Sequence, residues 1–546
     1  MENFKIIIFI LVVLISLWAV IDKLKLPYPV LLVLVGLAIG IMPFVPELVL
    51  DPEVVFVVFL PPLLYYAASH TSWHDFKTNL RPISALGISL VFFSMTAVAI
   101  TAHFFIPEFG WPLAFLLGAI VSPPDAVASS GLMKGLGLNK QVTTILEGES
   151  LVNDASALIA YRYALSAILT GTFVFWKAGL QFLWVAGGGI IIGLLVGYVL
   201  IFIHKRIDNY PIVETCLTLL TPFLSYLLAE DAHTSGILSV VSTGLVISWR
   251  APEIFSYQTR MRTRIVWDTL VFLLNGFIFL LIGLQLPGIL KHLSNYTLAS
   301  LIGYGLLISF ITIFIRILWI FASARFTNLF SWKQRKHRTS GSSAKKNDTW
   351  KNVLILSWTG SRGVISMATA LALPLTMYDG QAFPQRYLVI FLCFVVIFIT
   401  LVVQGFTLPH LIRKLKVSPV DNEAKEETEL QLYVTVSTLH YIRNEYYPKP
   451  GKRIAEELIK KYEILAGKYL TEIRTHTRNE SEETHEPIST ITPMQEAQAE
   501  ISKFQRQLLL KLHKEGKYSD AAIKLVERDM DINDLKLHQM LPKEQL

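Results

Sequence analysis

Charge is scarce through most of this sequence, and that scarcity excludes an ordinary soluble protein. Charged residues make up 17% of the 546-residue chain and hydrophobic residues 53%, whereas soluble domains carry about 25% charged residues. The scarcity is uneven, because residues 417–546 hold 19 of the 49 basic and 23 of the 42 acidic side chains. The composition therefore predicts a membrane body over residues 1–416 and a water-soluble tail over residues 417–546.

Cysteine is almost absent, which excludes two further kinds of architecture. The two cysteines, Cys216 and Cys393, stand inside apolar runs, so neither a disulfide framework nor a cysteine-rich metal cluster is expected. The tail has no nucleotide-binding loop, zinc-ligand spacing or nucleophile motif. We predict that the chain is not an enzyme, that it carries no cofactor, and that nucleic acid is not its partner.

Long apolar runs dominate the first 416 residues. A helix needs roughly 20 apolar residues to cross a membrane, and 13 runs approach or reach that length. The predicted fold is all-α: a polytopic membrane protein of about 13 transmembrane helices with a helical cytoplasmic tail. The predicted spans are 4–21, 27–43, 52–69, 82–106, 111–132, 141–170, 178–203, 211–229, 233–248, 264–290, 297–323, 352–377 and 385–411.

The basic residues between these spans predict their orientation. Alternate loops hold 23 lysines and arginines on one side of the membrane and 4 on the other. The positive-inside rule places the richer side in the cytoplasm. We therefore expect the protein to lie in the cell (inner) membrane, with its N-terminus outside the cell and its tail in the cytoplasm.

The tail shows the spacing of amphipathic helices. The predicted helices lie near 423–446, 451–473, 494–514 and 518–530, and a polar stretch at 475–493 suits a linker. We expect a soluble helical appendage, with a regulatory or oligomerising role as the alternative.

Three ionisable residues fall deep inside predicted spans. Asp125, Asp154 and Arg362 lie 10 to 14 residues from the ends of their spans, which is roughly 15–21 Å at 1.5 Å per residue. Charged groups at that depth cost at least about 2.5 kcal/mol each and mark functional sites. Arg316 lies nearer the end of its span, where we expect its side chain either to reach the membrane surface or to form a lateral pair.

The sixth span places several polar groups on neighbouring faces of one helix. Ser150 and Asp154 are one turn apart, as are Glu149 and Asn153. Two neighbouring carboxylates in a low-dielectric site need a cation to balance one of them. We therefore predict that Arg362 pairs with Glu149, which leaves Asp154 to bind a cation or a proton.

Helix breakers occur at the same depth in the fifth and twelfth spans. The fifth span contains Pro123 and Pro124, and the twelfth contains Gly360 and Gly363. These spans cross the membrane in opposite directions, as expected for an inverted repeat with two interrupted helices crossing at a midplane site. Backbone carbonyls freed by the breaks suit a hard cation, which prefers oxygen ligands.

These motifs resemble the monovalent cation/proton antiporters of the NhaP and sodium/proton exchanger type. The resemblance covers about residues 1–416 and is carried by the Glu-Ser-Leu-Val-Asn-Asp stretch at 149–154, with Asp125 upstream and Ser361-Arg362-Gly363 downstream. The Leu-Pro-Pro-Leu-Leu run at 60–64 is also similar to a family element. The chain is thus identified as a member of a bacterial branch of this family.

The resemblance implies a site and an activity. Asp154 would be the carboxylate shared by Na⁺ and H⁺, with Na⁺ held at Asp154, Asp125 and Ser150 and completed by a carbonyl of Pro124. Asn153 stands in the Asn-Asp pair that goes with electroneutral exchange, and the family implies a homodimer. This sequence departs from the family pattern where Pro124 replaces a threonine, and where Tyr65 and Tyr66 occupy the place of a glutamate that often follows the Leu-Pro-Pro-Leu-Leu run.

The predicted function is exchange of Na⁺, or of Li⁺ or K⁺, for H⁺ in a 1:1 ratio by alternating access, with a part in pH homeostasis. The alternatives are a K⁺/H⁺ antiporter, a cation efflux channel, a cation-coupled symporter of an organic solute, and a membrane-anchored sensor. The sequence has no repeat of stacked carbonyls typical of a selectivity filter, which disfavours the channel.

Overall fold

The structure is a computed structural model. It describes residues 8–17, 28–42, 52–125, 140–171, 175–207, 210–326, 348–377, 380–415, 422–446, 452–475 and 491–540. Parts of the first two predicted spans and the continuation of the fifth span beyond Asp125 lie outside these ranges.

Helices make up nearly all of the described chain. In the described ranges the β pairing is limited to an isolated bridge between Thr376 and Ala382, which confirms the all-α prediction. The helices of the body are α1 (Ile8–Leu17), α2 (Tyr28–Gly40), α3 (Pro52–His70), α4 (Trp73–Thr78), α5 (Leu80–Ser84), a π-helical segment (Ala85–Leu90), α6 (Val91–Phe105), α7 (Trp111–Val121), α8 (Lys140–Thr170), α9 (Phe175–His204), α10 (Pro211–Asp231), α11 (Gly236–Ile254), α12 (Tyr257–His292), α13 (Leu298–Phe326), α14 (Asp348–Trp358), α15 (Val364–Leu371) and α16 (Arg386–Leu415).

Several of these helices match the length of a membrane. Among the described residues, the helices long and apolar enough to cross are Leu80–Phe105, Trp184–His204, Pro211–Asp231, Tyr257–His292, Leu298–Ser323 and Arg386–Leu415. Shorter apolar helices are Ile8–Leu17, Tyr28–Gly40, Phe56–His70 and Trp111–Val121. The chain is therefore a multi-pass membrane protein, while the count of 13 spans stays a prediction.

Serine caps and a proline mark where several helices begin. Ser72, Ser235 and Ser256 precede α4, α11 and α12, and each hydroxyl accepts a hydrogen bond from the backbone N–H three residues later. Such caps satisfy amide groups that the first helical turn leaves without a partner. Helix α10 begins at Pro211, a residue whose missing N–H costs nothing in the first turn.

Glycine seams hold one group of helices together. A Cβ atom at Gly36 or Gly283 would overlap the backbone of the facing helix across the α2–α12 seam, and one at Gly193 would overlap the carbonyl of Ser239 across the α9–α11 seam. Small residues permit this close approach, which is how membrane helices gain packing energy. Helices α2, α3 and α9–α12 form this first group.

A second group of helices carries the polar residues of the predicted site. Helices α6, α7, α8, α13, α14 and α16 pack on one another. One of their apolar clusters joins Leu86, Ile145, Ile320, Leu356 and Leu408 from five different segments. The short helix α15 contacts α7 and α16 on one side and α3 and α12 on the other, so it lies between the two groups.

The described part of the tail forms four α-helices, close to those predicted. They are α17 (Asn422–Tyr441), α18 (Lys452–Thr475), α19 (Ile491–Glu515) and α20 (Asp520–Met540). Two apolar clusters pack inside the tail, one centred on Leu430, Leu512 and Val526 and the other on Ile442 and Ile501. The predicted linker at 475–493 lies mostly outside the described residues.

Ion pairs dock the tail on the body. Arg260 of α12 contacts Asp531 at 2.6 Å and Glu527 at 3.3 Å on α20, and Arg506 of α19 contacts the same Asp531 at 2.7 Å. Asp531 is 5% exposed, so these bonds are stronger than a surface pair. The tail is therefore fastened to the body rather than merely tethered to it.

A second docking contact lies at Asp520. Ser72 donates a hydrogen bond of 2.6 Å to this carboxylate, and His513 lies 3.3 Å from it. Burial alone would raise the pKa of Asp520, but the hydrogen bonds from His513 and Ser72 outweigh it and hold the pKa below its usual value. A lowered carboxyl pKa stabilises the folded state at neutral pH, and this contribution is lost only as pH falls below about 4.

Arg260→Glu is expected to loosen the tail. The change removes the Asp531 and Glu527 contacts and places like charges together. Because hydrogen bonds to charged groups contribute about 2 kcal/mol, the docked tail should be destabilised by that amount. Amide exchange in α20, followed by mass spectrometry on the full chain in nanodiscs, should become roughly 30-fold faster. The matched control is Arg443→Glu, which removes an exposed pair with Glu463 inside the tail; equal exchange in both variants would contradict the docking role.

Candidate ion-binding site

The end of one helix and an interruption in another meet in the interior of the body. Helix α7 ends at Val121, and the chain is non-helical to Asp125; helix α14 ends at Trp358, and helix α15 begins at Val364. The backbone N–H of Asp125 donates a 2.6 Å hydrogen bond to the carbonyl of Ser361, so the two non-helical segments touch. The break predicted from the two glycines is thus present where expected, and α7 ends just before the double proline, while the continuation of the fifth span beyond Asp125 and the inverted repeat stay predictions.

One face of α8 lies against this meeting point. Glu149, Asn153 and Asp154 are 1%, 0% and 5% exposed. The Nδ2 of Asn153 donates a 3.1 Å hydrogen bond to the carbonyl of Pro124. Helix α8 is thereby joined to the non-helical segment that follows α7, and the Pro124 carbonyl is drawn into the site.

Two carboxylates are near one another at this point. Asp125 and Asp154 lie within electrostatic reach of each other, and the Asp125 carboxylate rests against Gly363, where any side chain would overlap it. Ser150 is half-buried one turn before Asp154 on α8. The structure therefore brings together Asp125, Asp154, Asn153 and Pro124, while a ligand role for each of them and for Ser150 stays a prediction.

The predicted ion pair between Glu149 and Arg362 is wrong. Arg316 of α13 holds Glu149 in a two-pronged contact, with Nη1 at 2.5 Å from Oε1 and Nη2 at 3.0 Å from Oε2. Both side chains are 1% exposed. Arg316 also donates to the carbonyl of Leu356 at 3.2 Å, so it links α8, α13 and α14.

Arg362 instead satisfies backbone carbonyls that the helix breaks leave open. Its guanidinium donates to the carbonyls of Val121 at 3.0 Å, of Ser122 at 3.4 Å and of Gly360. Carbonyls at a helix end have no partner within the helix and require one when buried. This need explains why Arg362 is occupied elsewhere, although it remains within electrostatic reach of Glu149.

Position along the helix explains why Arg316 was missed. The sequence placed it near the end of its span, but it is 1% exposed and lies well inside α13. A count of buried charges and partners could have found it. Since Arg362 is needed by the open backbone carbonyls at the helix breaks, Glu149 needs a second arginine as its partner.

Asp154 and Glu149 differ in how their charge is balanced. Glu149 has a dedicated arginine, whereas no salt bridge reaches Asp154 from the described residues. A buried carboxylate in that setting must bind a proton or a cation. Asp125 supplies a second carboxylate within electrostatic reach, and carboxylate oxygens are ligands that a hard cation prefers.

Comparison with known proteins agrees with this geometry. A family described as "Sodium/hydrogen exchanger, transmembrane" matches residues 9–414. An uncharacterized Na⁺/H⁺ exchanger of Mycobacterium tuberculosis is 31% identical over 93% of this chain and 91% of its own length. A sodium, potassium, lithium and rubidium/H⁺ antiporter of Bacillus subtilis is 32% identical over 70% of this chain and 58% of its own.

A solved structure shares the fold. The sodium/proton antiporter MjNhaP1 of Methanocaldococcus jannaschii aligns with a TM-score of 0.58 at 22% identity, covering 76% of this chain and 99% of that protein. At that identity the likeness concerns the arrangement of helices alone. The shared part is therefore nearly the whole of MjNhaP1 but only about three quarters of this chain.

Proposed function

The chain belongs to the sodium/hydrogen exchanger family, and from that membership we propose that it exchanges Na⁺ for H⁺ across a cell membrane with Asp154 as the shared carboxylate. The observation that carries the assignment of Asp154 is the contrast between two buried carboxylates on one helix. Glu149 is neutralised by Arg316, while in the described part of the chain no cation pairs with Asp154. Asp125, Ser150, Asn153 and the Pro124 carbonyl complete the proposed site.

A 1:1 stoichiometry follows from competition for this one carboxylate. Asp154 holds either Na⁺ or H⁺, and the neutralised site moves between the two sides of the membrane, because a bare carboxylate is too costly to move through it. Asn153 is an amide bound to Pro124, so it neither titrates nor carries a second proton. Exchange of one cation for one proton moves no net charge.

Cation choice is proposed from the relatives. One is named for sodium, potassium, lithium and rubidium, and a second, from Aphanothece halophytica, is named for Na⁺. The carboxylate oxygens of Asp154 and Asp125 suit each of these ions, so we propose Na⁺ as the main substrate, with Li⁺ and K⁺ as competitors.

We divide the chain into a transport unit at 1–416 and a helical cytoplasmic unit at 417–546. The excess of basic residues on one side supports an N-terminus outside, a cytoplasmic tail and placement in the inner membrane. A homodimer is proposed from family membership. Transporters of this kind need no catalytic residues, and we propose no enzymatic activity.

The test of the proposed function uses inside-out vesicles with a respiration-driven proton gradient. Na⁺, Li⁺ or K⁺ is added alone while an acridine dye reports the gradient, with and without thiocyanate to collapse the membrane potential. We expect Na⁺ to dissipate the gradient without any organic solute, at a rate that thiocyanate leaves unchanged. A response that required a solute would indicate a symporter, and silence with all three cations would overturn the proposal.

Gly363→Ala is expected to weaken cation binding. A Cβ atom at this position would overlap both the Oδ2 and the Cγ of Asp125, so the whole carboxyl group must move rather than its tip. We expect the Na⁺ concentration for half-maximal exchange to rise at least about tenfold, the effect of losing one good ligand contact.

The matched control for this substitution is Gly303→Ala in α13. A Cβ atom there meets no atom within 4 Å, so Na⁺ dependence should match that of the wild type. Equal Na⁺ dependence in Gly363→Ala and the wild type would show that the place of the Asp125 carboxyl group is unimportant for exchange.

A further inference from the structure

Helix α16 carries two buried polar residues that the proposed site does not include. Thr400 and Gln404 are 0% and 2% exposed within a largely apolar helix, Arg386–Leu415. They are one turn apart and therefore share a face. Both face the interruption between α14 and α15.

Each residue accepts a hydrogen bond from the interrupted backbone. The N–H of Arg362 donates to Oγ1 of Thr400 at 3.1 Å, and the N–H of Gly360 donates to Oε1 of Gln404 at 3.3 Å. A helix break leaves such amides without their usual carbonyl, and burying them unpaired is unfavourable. The side chains of α16 therefore replace the missing helical bonds.

Ser361, the residue between these two amides, is hydrogen-bonded to the proposed site. The carbonyl of Ser361 accepts the 2.6 Å hydrogen bond from the N–H of Asp125. The stretch from Gly360 to Arg362 thus links α16 to Asp125.

Gln404 gives a second indication that its oxygen matters. Its Nε2 is buried without a hydrogen-bond partner among the described residues, which is costly for an amide. An apolar side chain would avoid that cost but could not accept the bond from Gly360. The glutamine therefore holds the break at the expense of stability.

We infer that Thr400 and Gln404 are positioning residues for cation exchange: by holding the α14–α15 break, they place the Ser361 carbonyl that fixes Asp125 beside Asp154. The inference rests on the proposed function and adds residues outside its ligand set. It concerns how Asp125 is placed, so its main consequence is a change in apparent cation affinity.

The test measures the Na⁺ dependence and the maximal rate of exchange in proteoliposomes containing the full chain. Thr400→Val keeps the shape and removes the acceptor, Thr400→Ser restores the hydroxyl, and Gln404→Met removes the other acceptor. We expect apparent KM for Na⁺ to rise about tenfold in Thr400→Val and Gln404→Met, with maximal rates within about threefold, and a KM near wild type in Thr400→Ser.

The control is Thr312→Val in α13. Thr312 is equally buried, and its hydroxyl donates to the carbonyl of Ile308 in its own helix, so a general loss of a buried hydroxyl should leave KM unchanged. Wild-type KM in folded Thr400→Val and Gln404→Met would overturn the inference, as would an equal shift in Thr312→Val. If Thr400→Val fails to fold, Gln404→Met and Thr400→Ser decide. Failure of the wild type to exchange at all would refute the proposed function instead.

Discussion

Asp154→Asn is expected to abolish cation-dependent proton exchange at every pH. Asparagine has nearly the same shape as aspartate, but it neither releases a proton nor balances a cation. The exchange signal should fall to that of vesicles lacking the protein, a loss of at least about 100-fold for a group that performs the transfer itself. The measurement is gradient dissipation by Na⁺ and Li⁺ over pH 6 to 9, set beside the amount of protein in the membrane.

Stability provides a second readout for the same variant. No salt bridge from the described residues reaches Asp154, so its replacement breaks no ion pair, and removing a buried charge is neutral or stabilising. The melting temperature should therefore stay the same or rise while exchange disappears. Asp231→Asn is the control, because Asp231 is exposed at the end of α10 and should retain exchange. Residual Na⁺-dependent exchange in Asp154→Asn would shift the carrier role to Asp125.

Local chemistry explains why much of the site could be predicted from sequence. Asp154 and Asn153 stand out because polar groups are rare in apolar spans, and the double proline before Asp125 favours a helix end, although Pro61 and Pro62 lie inside α3 without ending it. These signals need no knowledge of neighbours. The structure accordingly confirms the break between α14 and α15, the end of α7 before the double proline and the burial of Asp154.

Tertiary partners explain what could not be predicted. Glu149 and Arg316 are 167 residues apart, and many arginines could in principle have faced Glu149. The partners of Arg362 are backbone carbonyls, which have no signature in the sequence at all. Thr400 and Gln404 did carry a signal, since they are polar within the most apolar span, but what they bind depends on where the break falls.

Span limits were also only partly predictable. Helix α12 runs over Tyr257–His292, whereas hydropathy predicted 264–290. The turns that the prediction left out carry Arg260 and Arg262. Hydropathy left them out because charged turns of this kind extend a membrane helix beyond the hydrocarbon into water. Hydropathy detects the membrane-embedded part of a helix alone, and in this protein the excluded turns hold the contact with the tail.

Arg316→Met is expected to be the most destabilising substitution in the body. It leaves the Glu149 carboxylate, 1% exposed, without its partner, and removing one member of a buried pair costs about 3–5 kcal/mol. Glu149→Gln alone should also be costly, since it strands the Arg316 charge. The measurement is the free energy of unfolding by denaturant in mixed micelles. The control is Arg162→Met, because the Arg162–Glu230 pair is 33% and 29% exposed and should contribute about 1 kcal/mol or less to that free energy.

The double variant separates the two arginines as partners of Glu149. If Arg316 is the partner, Glu149→Gln combined with Arg316→Met should be less destabilised than the sum of the single variants by about 2–3 kcal/mol, because neither charge is then stranded. Arg362→Met removes donors from the carbonyls of Val121 and Ser122, and Glu149→Gln restores none of them. Its effect should therefore add to that of Glu149→Gln within about 0.5 kcal/mol. Strong coupling to Arg362 with additivity at Arg316 would reverse the assignment and return Arg362 to the ion pair.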